Sequence, residues 1–421
     1  MKKVFIIVLF IITKSFSAQT KIDSIPDLDP EILFSKMDLS RIDSLLMNDK
    51  FRSPLYDTAQ YIIKDFEVID VSSVALSADV LKERLSTINN KTPFNIAYNP
   101  ALENVIKSYL KYRSRYYPTL MAKSKYYFPM FEKYLDEYDI PLEMKYLAIV
   151  ESALDPKARS RVGATGLWQF MYATGLQYNL KVSSYVDERQ DPIKATIAAC
   201  EYLSDLYQVF ADWDLALAAY NSGPGNVLKA IKRSGGYRNY WNIRPYLPTE
   251  TAGYVPAFYA TMYLFEYAEE HDLKSELPEI YHFETDTIQI KRTISFDQIS
   301  EKTTISTDLL SLLNPSYKLD IVPFIEGKNY VITIPKANSL EFLQFENEIY
   351  TLADEDDAKR EKPLPKYFEM DKRTRYKVKS GDYLGKIANK FGVRVSDIKR
   401  WNSLRNNRLK IGQRLTIYPK R

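Results

Sequence analysis

Residues Tyr146–Ala173 read YLAIVESALDPKARSRVGATGLWQFMYA. An apolar run, Tyr146–Val150, delivers a single carboxylate, Glu151, at its end. A basic loop of small residues, Lys157–Gly166, follows, and then a second apolar and aromatic run, Gly166–Met171. Apolar surroundings disfavour the charged form of a carboxylate and raise its pKa. An acid kept protonated near neutral pH can give its proton to a leaving group. Glu151 is read as that acid. An isolated glutamate on a helix is ordinarily a solvated charge, so the reading depends on what the rest of the chain supplies.

Working outward, the helical period dominates from Asn99. NPALENVIKSYLKYRSRYYP repeats apolar positions at three- and four-residue steps and should end at Pro118. AKSKYYFPMFEKYLDEYDI gives a second helix, and PLEMKYLAIVESAL a third that carries Glu151 near its end and is stopped by Asp155–Pro156. LWQFMYATGLQYNL predicts a short helix, and DPIKATIAACEYLSDLYQVF a long one with Pro192 in its first turn. WDLALAAYNSGPGNVLKAIKRSGG reads as helix, turn, helix, and LPTETAGYVPAFYATMYLFEYA as a last helix. Residues 95–272 are thus expected to be one all-α domain of about eight helices.

Beyond it the pattern changes. TDTIQI and YVITIP alternate like strands and enclose two short helices in FDQISEKTTISTDLLSLLNPSYK. The C-terminal stretch repeats that order: RYKVKSGD, YLGKIANKFGVRVSDIKRWNS, LKIGQRLTIYP. The two align without gaps over 19 residues at an offset of 88, pairing Ile299 with Ile387, Leu310 with Ile398 and Asn314 with Asn402. This is an internal repeat of a βααβ unit. The expected organisation is an N-terminal arm at 19–94, a helical domain at 95–272, one unit at 283–336, a linker at 337–374 containing DEDDAKREKPLPK, and a second unit at 375–419.

Residues 1–18, MKKVFIIVLFIITKSFSA, have a basic start, a ten-residue apolar stretch and small residues where cleavage would fall. They read as a secretory signal peptide. With one cysteine, Cys200, and two histidines, a disulfide framework and a Cys/His zinc site are both excluded. An exported chain without disulfides fits a bacterial periplasm, with association to the outer membrane or the cell wall left open. The net charge of +4 is unevenly spread. Residues 375–421 hold 14 Lys/Arg against Asp382 and Asp397, while residues 19–374 are acidic. A basic module on an acidic body favours an anionic polymer as partner.

Four stretches stand out: Glu151–Ser152, GATGLWQFM at 163–171, LAAYNSGPGNV at 217–227 and ETAGYV at 250–255. Taken together and in this order, they resemble the soluble lytic transglycosylase family with its goose-lysozyme-like fold, and most closely the membrane-bound murein transglycosylase D type. The family's Glu-Ser pair matches Glu151–Ser152, and its Gly-Leu-(Met/Trp)-Gln signature matches Gly166, Leu167, Trp168 and Gln169. Ala-Tyr-Asn-x-Gly matches Ala219, Tyr220, Asn221 and Gly223, and Glu-Thr-x-x-Tyr-Val matches Glu250, Thr251, Tyr254 and Val255. Tyr172 stands where that type usually has proline. The C-terminal unit resembles the LysM peptidoglycan-binding family, with Tyr383–Leu384 where Thr-Leu is frequent. The 283–336 copy resembles LysM more faintly, having Lys-Arg-Thr at 291–293 in place of the Ser-Gly-Asp turn.

The resemblance implies a lyase that cuts the β-1,4 bond between N-acetylmuramic acid and N-acetylglucosamine and leaves a 1,6-anhydro end. Glu151 would be the acid and then the base. Among the substrate-site residues the resemblance implies, Ser152 and Gln169 would hydrogen-bond the N-acetyl group or the muramoyl ring, Tyr220 and Asn221 would orient the sugar or the acid, and Tyr254 would contact Glu151 and help hold its protonation state. Gly381, Asp382, Tyr383 and Leu384 would line a glycan groove in the LysM unit. The expected partner is peptidoglycan, with no nucleic acid, no metal and no cofactor; a monomer is expected, and peripheral membrane association is left open. The residues themselves leave a second carboxylate unassigned: Asp155 reads as a turn cap and Glu143 as a helix-start charge. The rival readings are a non-catalytic wall-binding scaffold, a water-using muramidase, and nucleic-acid binding by the basic tail, which lacks an aromatic-basic RNA motif.

Overall fold

The computed structural model describes residues 73–361 and, within 363–417, all but 368, 370–373, 392, 403 and 405. The expected signal peptide and most of the N-terminal arm lie outside the described residues. Ten α-helices precede the first strand among the described residues: α1 (Ala78–Asn89), α2 (Pro100–Tyr112), α3 (Tyr117–Glu137), α4 (Leu147–Ser152), α5 (Tyr172–Gln177), α6 (Pro192–Phe210), α7 (Trp213–Ser222), α8 (Pro224–Arg233), α9 (Tyr240–Ile243) and α10 (Thr251–Glu266). All but α5 place side chains in one apolar core running from Leu76 to Leu264. Helix α10 is its axis. Every residue from Thr251 to Leu264 is buried, as expected of a helix apolar on all sides, and it packs along α2 and α7. Leu81, Leu85 and Ile88 of α1 enter the same core.

Three local expectations change. Pro118 does not end α2; it sits in the first turn of α3, where the missing N–H has no intrahelical partner to lose. The segment ahead of Glu151 is two short pieces, a 3-10 helix at Leu142–Tyr146 and then α4. Leu167 does not open a helix: Gly166–Phe170 is a tight turn closed by a pair of hydrogen bonds between Thr165 and Phe170, both 3.1 Å, and α5 starts only at Tyr172.

The two βααβ units are present. The upstream one has β1 (Thr285–Gln289), β2 (Ile294–Ser295), α11 (Phe296–Lys302), α12 (Thr307–Leu313), β3 (Ile321–Val322) and β4 (Val331–Pro335), with β1 antiparallel to β4 and β2 antiparallel to β3. It is followed by α13 (Ser339–Lys359). The downstream unit has β5 (Thr374–Lys377), α14 (Leu384–Lys390), α15 (Val395–Trp401) and β6 (Arg414–Ile417), with β5 antiparallel to β6. Asn314 donates to the carbonyls of Leu310 (2.9 Å) and Thr333 (2.7 Å) and accepts from Thr333 N (2.7 Å). Asn402 makes the same three bonds with Ile398 (2.8 Å) and Thr416 (2.7 Å each way). The shared brace ties the second helix to the last strand in both copies.

The expected linker at 337–374 is not an open tether over most of its length. Helix α13 fills 339–359, and its Phe342, Ile349 and Ala353 are buried in the upstream unit's core. That core also takes in Tyr185 and Val186 from the helical domain. Residues 182–187 form a strap between the two bodies. Val186 bridges Tyr317 and Ser183 bridges Glu369, Lys318 N donates to Tyr185 O (2.8 Å), and Tyr185 Oη donates to Pro365 O (2.6 Å). Among the described residues no helix is long and apolar enough to cross a membrane.

Candidate active site

Helix α4 is buried along its whole length, and it stops right after the carboxylate. Ala153 and Leu154 both adopt left-handed backbone, φ 52° and 57°. This conformation costs an L-residue roughly 1–2 kcal/mol, and two in succession make a sharp end. Glu151 is only 6% exposed. Burial pushes its carboxyl up to about 8, and the Tyr254 hydroxyl, which donates to Oε1, works against that rise. At neutral pH the side chain is therefore a protonated acid.

The other signature segments close around it. Tyr254 lies on α10 with no solvent exposure. Tyr220, near the end of α7, feels the Glu151 charge and donates to the carbonyl of Trp168 at 2.8 Å. Burial first, and then the Glu151 charge, raises both tyrosines well above the ordinary phenol range. Asn221 Oδ1 accepts from Thr251 Oγ1 at 2.8 Å, joining the end of α7 to the start of α10. Ser152 Oγ lies 2.9 Å from the carbonyls of Ala148 and Leu167, so it ties α4 to the 166–170 turn. Gln169 Nε2 donates to Gly166 O (2.8 Å) and Ala158 O (3.2 Å). The expected sugar-facing roles of Ser152 and Gln169 therefore meet side chains whose donors already hold backbone. Trp168 is fully buried, bonded to Thr196 Oγ1 at 2.9 Å and packed 5.0 Å from the Phe131 ring, so it is a core residue.

The turn itself requires glycine at 166. Its φ is +90°, and a Cβ there would sit 1.9 Å from the Arg189 carbonyl oxygen. Gln169 holds φ 46°, another left-handed position. Two residues carry more here than the sequence suggested. Glu250 has a carboxylate oxygen buried without a hydrogen-bond partner, and burial pushes its carboxyl up to about 8. It also acts electrostatically on Tyr254. Arg189 holds the turn from behind, donating to Gly163 O (3.0 Å) and Phe170 O (3.3 Å). Its neighbours Asp187-Glu188 and Asp191-Pro192 look like an ordinary helix start in the sequence, which hid this role. Asp155 is exposed and caps its own turn through Lys157 N at 2.9 Å, as read from the sequence.

In the downstream unit Asp382 accepts from Lys379 N (2.8 Å) and Tyr376 Oη (2.6 Å). These bonds lower its pKa and shape the 379–383 turn, the Tyr376 bond first. Gly381 has φ +80° with open space around it, Tyr383 is 63% exposed, and Leu384 is buried in the unit's core.

Family models match three stretches: a transglycosylase SLT domain at 129–242, a lytic transglycosylase MltD LysM-like domain at 284–351, and a LysM domain at 376–417. The membrane-bound lytic murein transglycosylase D of Escherichia coli is 30% identical over 353 residues, 83% of this chain and 74% of that protein. The soluble lytic murein transglycosylase of Escherichia coli is 32% identical over 136 residues, 31% of this chain and 21% of that protein. Among solved structures, the 70 kDa soluble lytic transglycosylase of Escherichia coli aligns over 58% of this chain and 46% of its own, at 23% identity and a TM-score of 0.31. On its length of match to the type D relative and its SLT and LysM domains, the chain belongs to the lytic murein transglycosylases of the membrane-bound D type and is a glycosidic-bond lyase.

Proposed function

We propose that the chain cleaves peptidoglycan between N-acetylmuramic acid and N-acetylglucosamine, with Glu151 as both acid and base. The observation that carries this is one buried carboxyl, held neutral by its surroundings and bonded to Tyr254. Glu151 gives its proton to the glycosidic oxygen as the C1–O bond breaks. The carboxylate so formed takes the proton of the muramoyl C6 hydroxyl, whose oxygen closes onto C1. The product is a 1,6-anhydro end, water is not consumed, and the glutamate ends protonated. Intramolecular attack can supply up to about 7–11 kcal/mol of the barrier reduction, so a second carboxylate as nucleophile is dispensable. Glu250 fits this reading, since burial keeps it a neutral acid rather than an anion near pH 7. Tyr254 donates to the anionic intermediate form of Glu151 and limits how far its pKa rises. Tyr220 and Asn221 orient the sugar or the acid from the opposite helix end, and Ser152 and Gln169, whose donors hold backbone carbonyls, fix the frame on which the N-acetyl group or the muramoyl ring rests.

Gly381, Asp382, Tyr383 and Leu384 form the glycan groove of the LysM module, which keeps the enzyme on the wall. The N-terminal sequence supports export to the periplasm, with the protein acting as a monomer.

Glu151→Gln, assayed on purified sacculi, tests the assignment. The expected result is loss of anhydromuropeptides with sacculus binding retained. Full activity in that variant rejects Glu151, and reducing ends in place of anhydro ends from the native enzyme indicate a muramidase. The pH profile is a second check. The acid form starts the reaction, so turnover persists above the ordinary carboxylate range and falls as pH climbs through about 8. A fall centred near 4.5, the unperturbed value, contradicts a buried donor.

A further inference from the structure

The upstream LysM-like unit has its sugar-side turn closed by its own chain. By the offset of 88, the counterpart of Gly381–Leu384 is Thr293–Phe296. There Ile294 pairs with Val322 and Ser295 with Ile321, and Phe296 N donates to Asp320 O at 2.8 Å. Ile294 and Phe296 are each 1% exposed. The room for this comes from the loop after the second helix. The brace spans 19 residues from Asn314 to Thr333, against 14 from Asn402 to Thr416. Helix α13 seals the rest: Tyr350 Oη accepts from Lys291 N (3.0 Å), Asp356 accepts from Gln298 Nε2 (2.8 Å), and Arg292 pairs with Asp354 and Asp357. A groove filled by strand pairing and a helix has no free edge to offer an N-acetyl group.

The same unit is fastened to the lytic domain at one place that leads to the active site. Asp187 N donates to Ser316 O at 2.9 Å. Lys318 Nζ donates to Ser183 O at 2.8 Å. The Asp187 carboxylate is gripped by Arg189 through Nε (2.9 Å) and Nη2 (2.7 Å), both residues being more than nine-tenths buried. Arg189 Nη1 then holds the carbonyls of Gly163 and Phe170, the two ends of the 163–170 loop whose Leu167 and Trp168 carbonyls receive Ser152 and Tyr220. A planar guanidinium fork suits such a junction, since it fixes a carboxylate and a carbonyl pair at once.

We infer that the upstream LysM-like unit is a brace for the active-site turn rather than a glycan binder, and that Arg189 is the positioning residue that passes the brace to the site. This rests on the proposed role of Glu151 and its surrounding turn. The unit fixes Asp187, Asp187 fixes Arg189, and Arg189 fixes the 163–170 loop against α4 and Tyr220. Displacements of about 1 Å at a reacting geometry cost up to about 100-fold in rate, so loosening this chain of contacts lowers kcat while leaving binding by the downstream module untouched.

The test is a double-mutant cycle in the full-length protein on purified sacculi, with Val186→Lys to undock the unit and Arg189→Lys to remove the fork but keep the buried charge. Each single variant is expected to lower kcat on the order of tenfold or more, with KM and sacculus pull-down within about twofold. The double variant is expected to be no worse than the poorer single, because both cut one linkage. Lys318→Ala, which only removes a docking bond, repeats the kcat effect at about two- to threefold and replaces Val186→Lys in the cycle should that chain fail to fold. Limited proteolysis reports undocking independently of turnover. An undocked variant that keeps native kcat overturns the brace, as does a cycle whose losses multiply. Activity surviving in Glu151→Gln instead brings down the site reading, whatever the cycle shows.

Discussion

The two βααβ units share one brace and differ in what lies against their first turn. In the downstream unit the turn Gly381–Tyr383 faces solvent, and the core rests on eight buried apolar side chains among the described residues. In the upstream unit the same turn is a strand paired with β3, and the core holds sixteen, three of them from α13 and two from the helical domain. One repeated pattern therefore serves both an open, lightly built module and a closed, buttressed one. Recognition needs an uncovered edge, and an uncovered edge is apolar area forgone; burial contributes about 25 cal/mol per Å².

The largest expected contrast comes from the shared asparagine. Asn402→Ala removes three hydrogen bonds and leaves part-buried backbone groups short of partners, about 2–3 kcal/mol. With so small a core the downstream unit should unfold, read as loss of amide protection across 374–417 and loss of sacculus pull-down. Asn314→Ala carries the same local cost, yet the upstream unit should stay folded with a Tm lower by a few degrees. Equal outcomes at the two positions erase the contrast. Next is Ile294→Ala, which empties a fully packed site at about 2–4 kcal/mol and should leave sacculus binding unchanged; a binding loss with stability intact means the upstream turn does touch glycan. The smallest effect is Tyr383→Ala, an exposed aromatic on the open turn. Sacculus affinity is expected to fall about tenfold, since aromatic side chains anchor interfaces, while stability moves by no more than about 0.5 kcal/mol. A stability loss there without a binding loss marks Tyr383 as packing.

Much of this architecture was legible in the sequence because its signals are local. Helical period gave α6, α7, α8 and α10, and alternation gave β1 and β4. Glu151 could be singled out from the apolar run that delivers it, whereas Tyr254 could be tied to it only through the family resemblance of the short signature segments. What escaped was non-local. Helix α13 shows only Phe342, Ile349 and Ala353 as buried positions, and its acidic run looked like a tether because its apolar stripe is narrow and its partner lies in another unit. The 166–170 turn looked helical because its residues are apolar; the positive φ of Gly166 and Gln169, 90° and 46°, breaks the helical path there and is not announced by residue type. Arg189 itself acts on main-chain carbonyls, which leave no trace in residue types. The closed sugar edge depends on a five-residue difference in loop length, visible only once the two Asn braces are superposed.

The strap at 182–187 has a practical side for anyone who trims the gene. A fragment ending at 272, the boundary suggested by helical period alone, strips the cover from Tyr185 and Val186, each 4% exposed in the intact chain. It would present two sticky side chains, an unpaired Asp187 N–H and the bare carbonyls of Ser183 and Tyr185 next to the 163–170 loop, inviting aggregation and a misleadingly sluggish preparation. Cutting beyond Glu369, where the last strap partner among the described residues sits, keeps that surface clothed.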